Sequence, residues 1–201
     1  MTSGVYSSFS LTEARERGHT LTQLSNQELT RRALDLEWLL TDVDGVLTDG
    51  RLIYGPRGES LKAFNVRDGL GLKLAQRAGI KVGILSSRSS AALSRRANEL
   101  GLDALMAGSD EKESEFDRFL GRRATSPRRV AYIGDDLPDI PILGRVGLAF
   151  CPADAAPEVR AVAHLVLDRV GGRGAVREAV ERLLEARGQW KEMISSFTFE
   201  S

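Results

Sequence analysis

One cysteine in 201 residues has nothing to pair with. Cys151 makes no internal disulfide, and its position after the apolar Leu148-Ala149-Phe150 marks it as a core residue in a reducing compartment. Histidine is almost as scarce: His19 lies in a polar stretch and His164 opens an apolar one, so neither is a candidate for proton transfer. Charge of one sign is not in excess, since 28 Lys and Arg balance 28 Asp and Glu. No net field then draws nucleic acid or an anionic membrane, and neither is expected as a partner. Apolar runs fall far short of a membrane span, and Met1-Thr2-Ser3-Gly4-Val5-Tyr6-Ser7-Ser8 has neither the basic start nor the apolar stretch of a signal peptide. A cytoplasmic location is the expectation. Hydrophobic residues, at 42%, are enough for one domain with a core of ordinary size.

What is present is a regular alternation. Residues 1–24 read as a polar N-terminal extension, 25–188 as one domain, and 189–201 as a tail carrying Trp190 and Phe197-Thr198-Phe199. Ser25-Asn26-Gln27-Glu28 has capping-box spacing for a short first helix through Leu36. Strand-like runs at 38–43, 80–86, 103–106, 129–133, 147–151 and 163–167 are separated by helical stretches at about 69–78, 89–100, 110–121, 137–144 and 155–161, with a last helix at 173–187. Gly79, Gly101 and Gly121 stand where the first three of these helices should stop. This pattern predicts an α/β fold with a doubly wound, mostly parallel sheet, which binds ligands beyond the carboxyl ends of its strands. One segment departs from it: Arg51-Leu52-Ile53-Tyr54 and Ser60-Leu61-Lys62-Ala63-Phe64, around Gly55-Pro56-Arg57-Gly58, read as a β-hairpin insertion at 51–64.

Four strand ends carry chemistry. After Trp38-Leu39-Leu40 come Asp42 and Asp44, which share a face if the strand continues, followed by Gly45, where the backbone can turn. One carboxylate can attack phosphorus and the other can manage the proton of the leaving group. Val130-Ala131-Tyr132-Ile133 opens into Gly134-Asp135-Asp136-Leu137-Pro138-Asp139, an acidic cluster whose repulsion a cation would offset; Asp42 and Asp135 offer the hard oxygens that Mg²⁺ prefers. Ser86, followed by Ser87-Arg88, and Lys112, near a helix start, supply a hydroxyl and an ammonium suited to a phosphoryl group. Taken singly, each has a bland explanation as a strand-end solvating group, a cap or a surface charge. All four fall in order at the ends where a parallel sheet binds its ligand.

Asp42-Val43-Asp44, Ser86, Lys112 and Gly134-Asp135-Asp136-Leu137-Pro138-Asp139 resemble the four motifs of the haloacid dehalogenase phosphatase superfamily. More narrowly, Asp42 through Gly50, Leu61 through Gly69, and Gly171-Gly172-Arg173-Gly174-Ala175-Val176-Arg177-Glu178 look like the 3-deoxy-D-manno-octulosonate 8-phosphate phosphatase family. The resemblance implies a Rossmann-like haloacid dehalogenase fold and a Mg²⁺-dependent hydrolase of a sugar acid phosphate serving lipopolysaccharide biosynthesis, working through an aspartyl-phosphate. It makes Asp42 the nucleophile and a metal ligand. Asp44 becomes the acid/base that touches substrate and lends its backbone carbonyl to the metal, and Asp135 the third ligand. Ser86 and Lys112 bind the phosphoryl group, with Asp136 and Asp139 one layer further out. The family usually has Thr-Gly-Arg where this chain has Ser86-Ser87-Arg88, which keeps the hydroxyl and changes the loop.

The stretches from Asp44 to Ser86 and from Ser86 to Lys112 are too short for a cap domain, so the fold is expected to be capless. In the family, hairpins of four subunits meet and a neighbour completes the pocket, which implies a homotetramer. Arg67, Arg88 and Arg96, with Lys62 behind them, are the cations that would read the sugar's carboxylate, since a guanidinium is its natural bidentate partner. Two alternatives stay open: the phosphate of a nine-carbon sugar acid or other small metabolite as substrate, and a non-catalytic regulatory module of the same fold.

Overall fold

The structure, a computed structural model, describes residues 24–56 and 58–197, with only the backbone for 58–60. The polar stretch 1–24, His19 included and Leu24 excepted, and Thr198-Phe199 lie outside the described residues.

Helix α1 (Asn26–Leu34) starts at Ser25, whose hydroxyl accepts from the Glu28 N–H at 3.2 Å. Only that half of the predicted capping box forms, because the Glu28 carboxylate takes Arg31 and Arg32 instead. There follow β1 (Trp38–Thr41), β2 (Ile53–Gly55), β3 (Gly58–Leu61), α2 (Val66–Arg77), β4 (Lys81–Ser86), α3 (Ala91–Leu100), β5 (Ala104–Ala107) and α4 (Lys112–Arg123). The second half runs β6 (Val130–Ile133), a 3-10 turn at Leu137–Asp139, α5 (Ile140–Leu143), β7 (Leu148–Cys151), α6 (Pro157–Val162), β8 (Leu165–Val166), α7 (Ala175–Ala186) and α8 (Trp190–Ser195). Six strands form one parallel sheet in the order β5-β4-β1-β6-β7-β8.

Every residue of β1, β6 and β7 is buried, which is why these strands read as unbroken apolar runs: helices cover both faces. Leu39, Ala131 and Ile133 point into one core with α1, α2, α3 and α7. Trp38, Leu40 and Tyr132 point into the other, with Phe116, Phe119 and Ile142 of α4 and α5. Trp38 meets Phe119 edge to face at 4.9 Å, and truncating either to Ala would cost about 3–5 kcal/mol. Cys151 is buried in this second core, and burial pushes its thiol up to about 12. His164 is built into the sheet edge: its Nδ1 accepts from the Ala149 N–H at 2.9 Å, and burial pushes its pKa down to about 4.

Several boundaries differ from expectation, three of them as follows. β1 stops at Thr41, before Asp42. α2 begins at Val66, because Asn65 caps it by accepting from the Arg67 N–H at 2.8 Å. α4 runs through Gly121 to Arg123, and Ala124, at φ 49°, takes the left-handed turn foreseen for the glycine. Among the described residues the hairpin pairs with itself alone, Ile53 opposite Leu61 and Gly55 opposite Gly58, a shorter ladder than 51–64 suggested.

Candidate active site

The chain places β4 and β5 on one side of β1 and β6, β7 and β8 on the other, so the connections diverge at β1 and leave a crevice at its carboxyl end. The Asp42 N–H donates to the Ile133 carbonyl at 2.9 Å, which sets Asp42 beside the start of the Gly134-Asp135 loop. Beyond Asp42 the backbone curls at once: the Val43 carbonyl accepts from Val46, Leu47 and Thr48, and Val43, Val46 and Leu47 are buried and pin the turn. Asp44 therefore sits in a turn and not on an extended strand, so the i, i+2 argument for a shared face does not hold. Gly45, at φ 87°, has no room for a side chain; a Cβ there would stand 1.9 Å from Asp135 Oδ2.

Lys112, at the start of α4, is buried between two carboxylates, with Nζ 2.8 Å from Asp42 Oδ2 and 2.6 Å from Asp139 Oδ1. Burial works against its ammonium, but Asp42 and Asp139 outweigh that and raise its pKa. Asp139 is fully buried and fully engaged. Its Oδ1 also accepts from the Tyr132 hydroxyl at 2.6 Å, and its Oδ2 from the N–H groups of Asp135 and Asp136 at 2.9 and 3.3 Å. Asp136 caps the 3-10 turn by accepting from the Leu137 N–H at 2.8 Å. These two acids thus hold the loop and Lys112 in place.

Asp42, Asp135 and Asp139 bring carboxylate oxygens within 4.8 Å of one another. Asp139 has spent its oxygens. Among the described residues, Asp42 Oδ1, Asp44 Oδ2 and Asp135 Oδ1 are buried without a hydrogen-bond partner; the Asp42 and Asp135 oxygens belong to the gathered trio, an arrangement costly for carboxylates unless a cation meets them. Burial, with Asp139 adding its charge, pushes Asp42 up to about 6 against the pull of Lys112. Burial and the Asp42 charge push Asp135 up to about 8. Hard oxygens gathered in this way fit a divalent cation such as Mg²⁺.

Asp44 belongs to a different neighbourhood. Its Oδ1 is in contact with Lys62 Nζ and lies 3.4 Å from the Thr48 hydroxyl, and its Oδ2 is 3.6 Å from Arg88 Nε. Arg88 in turn donates from Nη2 to the Tyr54 hydroxyl at 3.3 Å. Ser86 is buried, and its Oγ accepts from the Arg88 N–H at 3.3 Å, which leaves the hydroxyl proton available. Arg67 is exposed on the first turn of α2. Arg96 turns to Glu99 at 3.6 Å and packs over Gly69, where a Cβ would be 2.1 Å from its Nη2. Of the three arginines, the structure brings Arg88 to an acid of the first motif.

Sequence reasoning missed what ties the three narrower segments together. Asp68, buried in α2, accepts from the N–H groups of Gly174 and Arg177 at 3.1 and 2.8 Å and so caps α7. Gly171 and Gly172 lie flat on the first turn: the Gly172 N–H donates to the Val46 carbonyl at 2.9 Å, and a Cβ on Gly171 would be 1.8 Å from the Gly45 carbonyl. The signal was there as an acid before two glycines, Asp68-Gly69-Leu70-Gly71, and as the glycines of Gly171-Gly172-Arg173-Gly174, but nothing local links them. Tyr132 was hidden as one more apolar position of β6.

No protein-family model matches the chain. A 3-deoxy-D-manno-octulosonate 8-phosphate phosphatase of Yersinia pestis is 42% identical over 160 residues, covering 80% of this chain and 86% of its own. The crystal structure of a probable YrbI family phosphatase from Pseudomonas syringae superposes with a TM-score of 0.83 at 39% identity, over 87% of this chain and 99% of that one. The 3-deoxy-D-manno-octulosonate 8-phosphate phosphatase of Moraxella catarrhalis, solved with magnesium ion, phosphate ion and KDO, superposes with a TM-score of 0.82 at 36% identity, over 86% of this chain and 99% of that one.

Proposed function

Because the chain belongs to the 3-deoxy-D-manno-octulosonate 8-phosphate phosphatase family of the haloacid dehalogenase superfamily, we propose that it hydrolyses the phosphate monoester of that eight-carbon sugar acid in a Mg²⁺-dependent reaction. The observation that carries this is the pair of buried carboxylate oxygens, Asp42 Oδ1 and Asp135 Oδ1, left without hydrogen-bond partners beside the Lys112 ammonium.

In this reading a carboxylate oxygen of Asp42 attacks phosphorus, the bond from phosphorus to the sugar oxygen breaks, and Asp44 delivers a proton to that oxygen. Water then attacks the aspartyl-phosphate, Asp44 takes the water's proton, inorganic phosphate leaves, and Asp42 is restored. Ser86 and Lys112 hold the phosphoryl oxygens, while Asp139 and Asp136 keep Lys112 and the loop in position. Asp42, Asp135 and the Asp44 carbonyl would hold Mg²⁺, which when bound screens the charge of the phosphate from the carboxylates. Arg88 is the cation best placed to meet the sugar's carboxylate, with Arg67 and Arg96 as outer contributors.

The division into a phosphatase domain at 25–188 with flanking segments 1–24 and 189–201 belongs to the same reading, as does a cytoplasmic, homotetrameric protein. Leu52, Ile53, Tyr54 and Leu61 on the hairpin are exposed, from 37% for Leu52 to 63% for Tyr54, which supports their use as a subunit interface. No helix among the described residues is long and apolar enough to cross a membrane.

Release of phosphate from a panel of sugar acid phosphates, with and without Mg²⁺, is the test. The eight-carbon ester is expected to turn over fastest and only with the cation. Preference for a nine-carbon ester would move the substrate, and no hydrolysis of any ester would overturn the reading.

A further inference from the structure

Asp42 and Asp44 are the same side chain with different holders. Lys112 grips Asp42. The matching grip on Asp44 is Lys62, which leaves the hairpin at the end of β3; its side chain is 1% exposed and its Nζ touches Asp44 Oδ1. A lysine is almost never buried unless paired, so this ammonium is committed to its site. The other oxygen, Asp44 Oδ2, accepts no hydrogen bond and has Arg88 Nε 3.6 Å away as an ion pair, with Arg88 Nη2 donating to the Tyr54 hydroxyl of the hairpin. Asp44 is absent from the trio of carboxylates, Asp42, Asp135 and Asp139, that gather within 4.8 Å.

We propose that Lys62 is a positioning residue that holds the Asp44 carboxylate on the hairpin side of the turn, apart from the Asp42 and Asp135 oxygens, so that of two neighbouring acids one faces phosphorus and the other faces the leaving oxygen. The proposal rests on the phosphatase reading for its kinetic consequence and on geometry alone for its structural one. It gives the hairpin a second use, since the strand that presents apolar residues outward ends in the group that sets the proton donor.

The test uses the whole protein with Mg²⁺ and two variants: Lys62→Met, which keeps the stem and removes the charge, and Lys62→Arg, which restores a cation. On a sugar acid phosphate, whose leaving group needs an acid, the single-turnover rate of Lys62→Met is expected to fall at least about tenfold with KM within about threefold of wild type. The burst of phenol from an aryl phosphate with an activated leaving group is expected to stay within about threefold, and Lys62→Arg is expected to recover most of the loss. Equal falls on both substrates, or a change confined to KM, would overturn the proposal. Crystal structures of wild type and Lys62→Met supply the arm that needs no substrate: the Asp44 carboxylate should leave its wild-type position, and an unmoved carboxylate sinks the idea even if the sugar assignment stands. Should wild type hydrolyse no sugar ester, the functional reading fails, while this crystallographic comparison still decides the role of Lys62. Lys62→Gln, polar and neutral, replaces the Met variant if that one does not fold.

Discussion

The carboxyl ends of β1 and β6 and the hairpin β2–β3 face the same acids from opposite sides, and they are built in opposite ways. At the strand ends the backbone is fixed by sheet partners, and Asp42 and Lys112 are paired with each other in the interior; Asp139 alone serves Lys112, Tyr132 and two N–H groups. Among the described residues the hairpin pairs with itself alone, exposes Leu52, Ile53, Tyr54 and Leu61, and touches the site through the tips of Lys62 and Tyr54. The proposed nucleophile and the buried lysine sit in the part packed on every side, and in our proposal the hairpin contributes to the chemistry through Lys62. The exposed apolar face of the hairpin is the part to which the proposed selection and assembly are assigned.

The largest effect should come from the rigid side. Asp42→Asn, which cannot form the covalent intermediate, is expected to lower turnover at least about 10³-fold, some 4 kcal/mol of barrier, with an unchanged circular dichroism spectrum; substantial residual phosphatase activity would remove the nucleophile assignment. Asp139→Ala should be the most damaging change to the fold itself, about 3–5 kcal/mol in urea denaturation, because it strips a partner from a buried ammonium and leaves the Tyr132 hydroxyl without an acceptor. A loss below 1 kcal/mol would mean that the strand ends are no more rigid than the hairpin.

A third measurement concerns the cation. Asp42 and Asp135 are raised from 3.8 to about 6 and about 8. In the metal-free protein the folded state therefore binds their protons more tightly than the unfolded chain does. The resulting stability is full below the ordinary carboxylate pKa and is lost as pH rises through about 6 and about 8. Mg²⁺ binds the ionised forms, so the gain in Tm over excess chelator should be several degrees larger at pH 8 than at pH 5. A gain that does not vary with pH would detach these two acids from the metal.

The smallest effect on the folded subunit is expected on the hairpin. Leu52→Glu with Ile53→Glu should change subunit stability by no more than about 0.5 kcal/mol per site, yet light scattering should show the assembly dissociated. A wild-type protein that is already a clean monomer would reduce the hairpin to a local flap.

The contrast also explains what could be read in advance. Apolar runs ending in Asp42, Ser86 and Gly134-Asp135 were legible because a strand covered on both faces must be apolar and its end is where polar groups resume. Other features depend on long-range contacts that no local pattern reports. The early start of α2 rests on the Asn65 cap, and two of its glycines are there for Arg96 and the Arg177 backbone to pass close by. Continuation of α4 through Gly121 needed only Ala124 to accept a left-handed turn. Lys62 looked like an outlying substrate reader because its partner is set by how the hairpin folds back over the turn, and Arg96 stood among the substrate readers, behind the motif-adjacent Arg88, because nothing in the sequence shows it turned toward Glu99.

Gly171 and Gly172 resting on the Gly45–Thr48 backbone, with α7 capped by Asp68, also bear on how the molecule comes into being. A ribosome that has delivered the first 170 residues has already delivered Asp42, Asp44, Ser86, Lys112 and Asp135. It has not yet delivered the glycines that lie on the turn carrying Asp44, nor the helix that Asp68 caps. Competence is in this sense a late event of synthesis: a fragment cut short there holds every acid of the site and lacks the strap that shapes it.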